Sequence, residues 1–154
     1  MENIEQRLSQ LGIKLPNTAV PAGSYVPYVL EKNLLWISGQ VPFWNGKVKY
    51  RGKVSSEVSI DDAVMAARLC GLNILAQIKT ALGNLNRVEQ VIKLSGFVNS
   101  SSDFTDHPIV INGASDLIVD VFGELGRHTR VATGASSLPL NSTTEVDALV
   151  RVRT

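Results

Sequence analysis

The chain is expected to fold as an α+β layer, a mixed β-sheet with two helices packed on one face. Three observations carry that expectation. Between Ser59 and Gly83, the residues Ala63, Ala67, Cys70, Ile74, Ile78 and Ala81 recur at steps of three and four, one continuous apolar stripe of a long helix. Near the end of the chain Val146, Ala148, Val150 and Val152 alternate as a half-buried strand requires. The elements read along the whole chain come in the order helix, strand, strand, long helix, strand, helix, strand, strand, and strands interrupted by two helices suit a two-layer packing.

The bulk numbers narrow the class. A chain of 154 residues suits one domain over 1–154, with 1–16 as an N-terminal helical extension. The 15 Lys and Arg against 14 Asp and Glu leave a net charge of +1, and the basic residues are scattered. A dedicated nucleic-acid surface needs a clustered basic face, so no nucleic-acid partner is expected. No apolar run is long enough to cross a bilayer, and Met1-Glu2-Asn3-Ile4-Glu5 lacks the basic start and apolar core of a signal peptide. No membrane partner is expected, and the cytoplasm is the expected compartment. Cys70 alone cannot form an intramolecular disulfide, and no Cys/His cluster has metal-ligand spacing, so no metal is expected.

Taken in order, Ile4, Leu8 and Leu11 stand at helical spacing and Gly12 with Pro16 marks a stop. Past a loop, Ser24 to Leu30 reads as extended, and Pro27, which has no ladder donor, points to an edge strand or a bulge. Leu34-Leu35-Trp36-Ile37-Ser38-Gly39-Gln40 reads as a strand buried on both faces, ending where Gly39 admits a backbone or a ligand. Trp44-Asn45-Gly46-Lys47 is a turn. The long helix has Ser59 and Asp62 as a capping pair, Gly83 as its stop, and Ala66, Ala67 and Gly71 small enough for close packing. Cys70, on its stripe, reads as a buried small hydrophobe.

Gln90 to Val98 follows as a strand and Asn99 to Asp103 as a loop. A second helix is expected to begin near Ser115, to align Leu117, Val121 and Leu125 beside Ile118 and Phe122, and to end at Gly126. Asn112 and Ser115 then read as its caps, with an anion site at its first amides as the sharper alternative. A two-layer domain leaves one sheet face bare, and a cyclic oligomer is the simplest cover.

The residues that carry chemistry lie in the last quarter. Two strands are joined by a turn around Leu138-Pro139, with Arg130 near the start of one and Glu145 near the start of the other. Arginine stays charged and offers a planar fork of donors, well suited to a small carboxylate. Glu145 would then handle a proton or a water beside the bound anion. The alternative is a structural ion pair between Arg130 and Glu145 across the sheet. Tyr25 suits an interface as well as a site, and His128, a lone histidine beside a glycine, reads as exposed unless it gives the site a pH response.

Four short stretches bring a family into view. Gly23-Ser24-Tyr25, Ile37-Ser38-Gly39-Gln40-Val41-Pro42, Thr129-Arg130, and Leu138-Pro139 followed by Glu145-Val146-Asp147 stand in the order and spacing of the reactive intermediate deaminases. From about Gly23 to Val152 the chain resembles this RidA/YjgF, endoribonuclease L-PSP-like family. The resemblance implies a chorismate-mutase-like two-layer sandwich, a homotrimer with clefts between subunits, and hydrolysis of small enamines and imines to 2-oxo acids and ammonia without cofactor. It also implies that Arg130 binds the carboxylate of a small metabolite, that Glu145 holds or activates water, and that Tyr25 lines the cleft from a neighbouring subunit. Backbone groups near Ser38, Gly39, Val131 and Ala132 would orient the imine nitrogen and the water.

The sequence departs from the family's usual residues at Ser24, His128, Thr129 and Ala132, and the stretch from His107 to Leu117 reads as a longer loop and helix entry, which marks a divergent branch. A non-catalytic trimeric module that binds a metabolite in the same clefts is the alternative. Ribonuclease activity, attached to some relatives, fits the near-neutral charge least. A mutase role follows from shared fold alone.

Overall fold

The computed structural model describes residues 3–154, so Met1-Glu2 of the N-terminal stretch lies outside the described residues. In chain order the elements are α1 (Ile4–Gln10), β1 (Tyr28–Glu31), β2 (Leu34–Gln40), β3 (Phe43–Trp44), β4 (Lys47–Val48), α2 (Ile60–Leu82), β5 (Val88–Asn99), α3 (His107–Phe122), β6 (Thr129–Ala135) and β7 (Thr144–Val152). Five of the strands form one sheet in the order β1-β2-β7-β5-β6. β5 and β6 run parallel because α3 carries the chain from one to the other, whereas the remaining neighbours pair antiparallel. The short hairpin β3–β4 turns at Asn45 and Gly46, both at positive φ, as a two-residue hairpin turn requires.

α2 begins and ends where its sequence dictates. Ser59 accepts from the Asp62 amide at 3.1 Å, and Gly83 closes the helix in the left-handed region at φ 78°. Its stripe of Ala63, Ala67, Cys70, Ile74 and Ile78 is fully buried against the sheet and α3. At Gly71 a Cβ would lie 2.9 Å from a Leu117 methyl, so the two helices approach closely there. α1 is fastened to this body by buried Ile4 and Leu8, by the Ile4 amide on Asn86 Oδ1 at 2.6 Å, and by a Lys79–Glu5 ion pair at 3.0 Å.

α3 corrects the expected helix start. It opens at His107, eight residues before Ser115, with Pro108 in its first turn, where the missing N–H costs nothing. Val110, Ile111 and Ala114 are buried at helical spacing, and that burial overrides the weak helix preference of the β-branched run Ile109-Val110-Ile111. Asn112 and Ser115 therefore sit inside the helix and cap nothing. The expected end also moves: α3 stops at Phe122, Gly123 takes positive φ, and a single 3-10 turn runs to Gly126.

Both main helices cover one face of the sheet, the face to which Leu94, Val146, Ala148 and Val150 point. The opposite face bears Trp36, Val131, Glu145, Asp147 and Leu149 and has no second layer within the described residues. β2 is consequently half-buried and not buried on both faces, because Trp36 is 52% exposed. Apolar side chains on both sides of a strand suggest double burial, but only one side of β2 meets a helix.

Candidate functional site

Two groups of side chains stand out, and they lie on different faces of the sheet. The first surrounds the end of β2. Between Ile37 and Gln40 the pairing with β7 slips by a residue, a bulge that lets the chain bend away from the ladder. Gly39 sits in that bulge with Glu145 beside it: a Cβ at Gly39 would lie 2.6 Å from Glu145 Oε2 and 2.9 Å from its Cδ. A side chain here would force the Glu145 carboxylate to shift. Ser38 fastens the preceding loop, its hydroxyl donating to the Val26 carbonyl at 2.8 Å and its amide to the Pro27 carbonyl at 2.9 Å. That loop carries Tyr25.

Together these residues border a cavity of about 180 Å³, whose lining includes Val20, Pro21, Tyr25, Phe43 and Leu140 on its apolar walls and Ser38, Gly39 and Glu145 at its polar end. Beneath it, Asn73 of α2 donates to the Phe43 carbonyl at 2.8 Å and the Leu69 carbonyl at 2.9 Å, tying the cavity's underside to the long helix. Burial pushes the Glu145 pKa up, and the Asp147 carboxylate two residues along the same face adds to the shift. A carboxylate so placed holds a proton more readily than one in water, which suits it to accept and return one.

The second group lies at the β6 edge. Arg130 Nη1 donates to Asn112 Oδ1 at 2.7 Å and to Ser115 Oγ at 3.2 Å, both on α3. Ser115 Oγ lies 2.9 Å from His128 Nε2, and His128 Nδ1 lies 2.6 Å from the Gly126 carbonyl oxygen. Burial lowers the His128 pKa, the Gly126 carbonyl opposes that shift, and the Arg130 charge adds to it. Among the described residues no carboxylate lies within salt-bridge distance of Arg130. Its partners are neutral, so its charge remains available to an anion.

Register decides whether the two groups meet within a chain. Arg130 is paired with Leu94, and Leu94 with Ala148, so Arg130 points to the helix-covered face at the sheet edge. Glu145 is paired with Phe97, and Phe97 with Thr133, three residues further along β6 than Arg130. An odd step along a strand reverses the face. Within one protomer Arg130 and Glu145 therefore stand on opposite faces with β5 between them, and the ion pair considered across the sheet does not form. Tyr25, Ser38, Gly39 and Glu145 come together; Arg130 and Ala132 are separate from them, and Val131 projects from the bare face, 50% exposed.

A family model described as "YjgF/chorismate_mutase-like, putative endoribonuclease" matches residues 5–151. The chain belongs to this YjgF family. Protein TCP17 of Trypanosoma cruzi is 45% identical over 150 residues, covering 97% of this chain and 94% of that protein. The crystal structure of Atu1372 from Agrobacterium tumefaciens, a protein of unknown function, superposes with a TM-score of 0.90 at 48% identity, over 97% of this chain and 92% of that one. An endoribonuclease-named protein from Shewanella oneidensis superposes with a TM-score of 0.94 at 36% identity, over 98% of this chain and all of that one. The YjgF match reaches back into α1, so the family's span is wider than the stretch from Gly23 onward that carries the resemblance.

Sequence reasoning alone passes over the cluster around Arg130. It makes Asn112 and Ser115 caps and leaves His128 exposed, whereas all three form one hydrogen-bonded chain with Arg130. A signal is present: Asn112 and Ser115 are three residues apart, on one face of any helix that includes both. Cys70, by contrast, lies where its stripe puts it, buried and 3.2 Å from Thr144 Oγ1, with burial raising its pKa to about 12, an inert thiol. Among the described residues no three His, Cys, Asp or Glu side chains gather closely enough to hold a metal ion, and no helix is long and apolar enough to cross a membrane.

Proposed function

We propose that the protein hydrolyses small enamine and imine intermediates, of the 2-aminoacrylate or 2-iminobutanoate type, to 2-oxo acids and ammonia, in clefts between the subunits of a homotrimer. The observation that carries this reading is the division of labour between the two groups. An arginine with no carboxylate partner among the described residues and a half-buried carboxylate in an apolar cavity stand on different faces, and a cleft between protomers is the arrangement that makes both useful.

In this scheme Arg130 of one protomer binds the substrate carboxylate through a charge-assisted fork, worth roughly 1.5 to 3 kcal/mol per hydrogen bond. Glu145 of a neighbour accepts a proton from water as the oxygen adds to the C=N carbon. The carbinolamine then collapses to the 2-oxo acid: Glu145 returns the proton to the nitrogen and takes the hydroxyl proton in its place as the C–N bond breaks and ammonia leaves. An enamine first takes a proton on carbon from protonated Glu145, which gives the iminium form that the water attacks. The imine carbon is electrophilic already, so holding one water in line supplies much of the acceleration. Tyr25, Ser38 and Gly39 wall the cavity, and backbone groups of Val131 and Ala132 on the free edge of β6 orient the imine nitrogen.

Purified protein is expected to accelerate ammonia release from freshly generated 2-aminoacrylate, with Arg130→Ala losing most of the acceleration. Equal rates for wild type, variant and buffer would refute the reading. The separation of Arg130 and Glu145 within one protomer also favours a second reading, a binding module without turnover, if assembly does not bring them together. Saturable 2-oxo acid binding with no ammonia release would select it.

A further inference from the structure

A hydrogen-bonded polar cluster outside the cavity begins at Arg130. Its hydrogen bonds can be given a direction. The Gly126 carbonyl only accepts, so the 2.6 Å contact places a proton on His128 Nδ1 and leaves Nε2 of the neutral ring as an acceptor. The Ser115 hydroxyl then donates to Nε2 across 2.9 Å, and its oxygen keeps a lone pair for Arg130 Nη1 at 3.2 Å. Asn112 Oδ1 takes the other Nη1 hydrogen at 2.7 Å. Both hydrogens of Nη1 are thus used, while the edge formed by Nε and Nη2, the edge that matches a carboxylate bidentately, remains open among the described residues. Gly126 anchors the far end: a Cβ there would lie 2.5 Å from the Ile118 carbonyl, so the turn sits tight on α3.

We propose that Ser115 and His128 are positioning residues for Arg130, locking one nitrogen of the guanidinium so that its opposite edge meets the substrate carboxylate in a fixed orientation. This rests on the reading of Arg130 as the carboxylate-binding group. The lock needs neutral His128. A protonated ring must donate from Nε2 to Ser115, which takes a second lone pair of the hydroxyl oxygen, leaves its hydrogen without the Nε2 acceptor and sets a second cation beside Arg130. The other charges near this turn do not substitute for it: Arg127 is paired with Glu124 at 3.1 Å, and α3 meets the cluster with the neutral Asn112 and Ser115.

The test is calorimetric titration of 2-oxobutanoate into wild type, Ser115→Ala, His128→Gln and Arg130→Ala between pH 5 and 8, on the assembled protein. Ser115→Ala is expected to bind about tenfold more weakly at pH 7.5, the fold-change of one hydrogen bond's net contribution, with KM raised and kcat nearly kept. Wild-type affinity is expected to fall toward pH 5, and His128→Gln, which keeps an acceptor but cannot titrate, to lose that fall; the difference between the two profiles belongs to His128. If Arg130→Ala abolishes binding while Ser115→Ala and His128→Gln keep wild-type affinity and the wild-type profile, the positioning role is overturned and the role of Arg130 stands. If Arg130→Ala binds as wild type, both fall.

Discussion

The cavity at the end of β2 and the edge of β6 treat charge in opposite ways. At the cavity, apolar walls and a neighbouring carboxylate make ionised Glu145 costly and raise its pKa. At the β6 edge, two neutral acceptors take up Nη1 of Arg130 without neutralising its charge, and burial disfavours the charged form of the adjacent histidine. The first environment prepares a group to exchange protons, and the second prepares one to hold an anion. Neither contains the other's partner, so the chain carries two halves of a site on two faces of one sheet.

The largest expected effect falls on the anion-binding half. Arg130→Ala should weaken 2-oxo acid binding about 100-fold, the loss of a charge-assisted pair, and Arg130→Lys should recover only part of it because a point charge replaces the fork. Titration of both variants checks this, and equal losses would show that geometry contributes nothing.

Next comes Gly39→Ala, which drives a methyl into the Glu145 carboxylate at 2.6 Å. Turnover should fall about tenfold through misplacement of the proton-handling group, with 2-oxo acid affinity kept within about twofold. Steady-state kinetics alongside titration separates the halves; a matching loss of affinity would mean they are not independent.

Glu145→Gln should change stability by less than about 1 kcal/mol, since the group is only half-buried. The sign follows from the raised pKa. Glu145 adds stability while protonated, below its ordinary value of about 4.5, and that contribution is lost as pH rises through its folded pKa. Wild type should therefore lose stability relative to Glu145→Gln on going from pH 4 to pH 7, as urea unfolding at both values will show.

The smallest effect is that of His128 on folding. Its folded pKa is depressed, so its contribution is present above the ordinary value of 6.5 and is lost as pH falls through the folded value. Thermal unfolding of His128→Gln should show a shallower loss of Tm between pH 7 and pH 5 than wild type.

Much of this is legible in the sequence. α2 announces itself through its stripe, Ser59 and Gly83, because capping and periodicity are local. Tyr25, Ser38, Gly39, Arg130 and Glu145 stand out by residue type and order. What the sequence withholds is which face each occupies. That parity depends on the register of β6 against β5 and of β5 against β7, contacts between residues distant in the chain. The start of α3 is hidden for a related reason: the three β-branched residues Ile109, Val110 and Ile111 argue against a helix locally, and packing on α2 and β5 reverses that preference. With the helix start misplaced, Asn112 and Ser115 do not emerge as partners of Arg130.

Co-expression of Arg130→Ala with Glu145→Gln tests the divided site most directly. Each variant alone should be nearly inactive toward 2-aminoacrylate. If the site joins Arg130 of one protomer to Glu145 of another, mixed assemblies contain some intact sites, and about a quarter of the wild-type rate should return. A mixture as inactive as its two components would contradict the account.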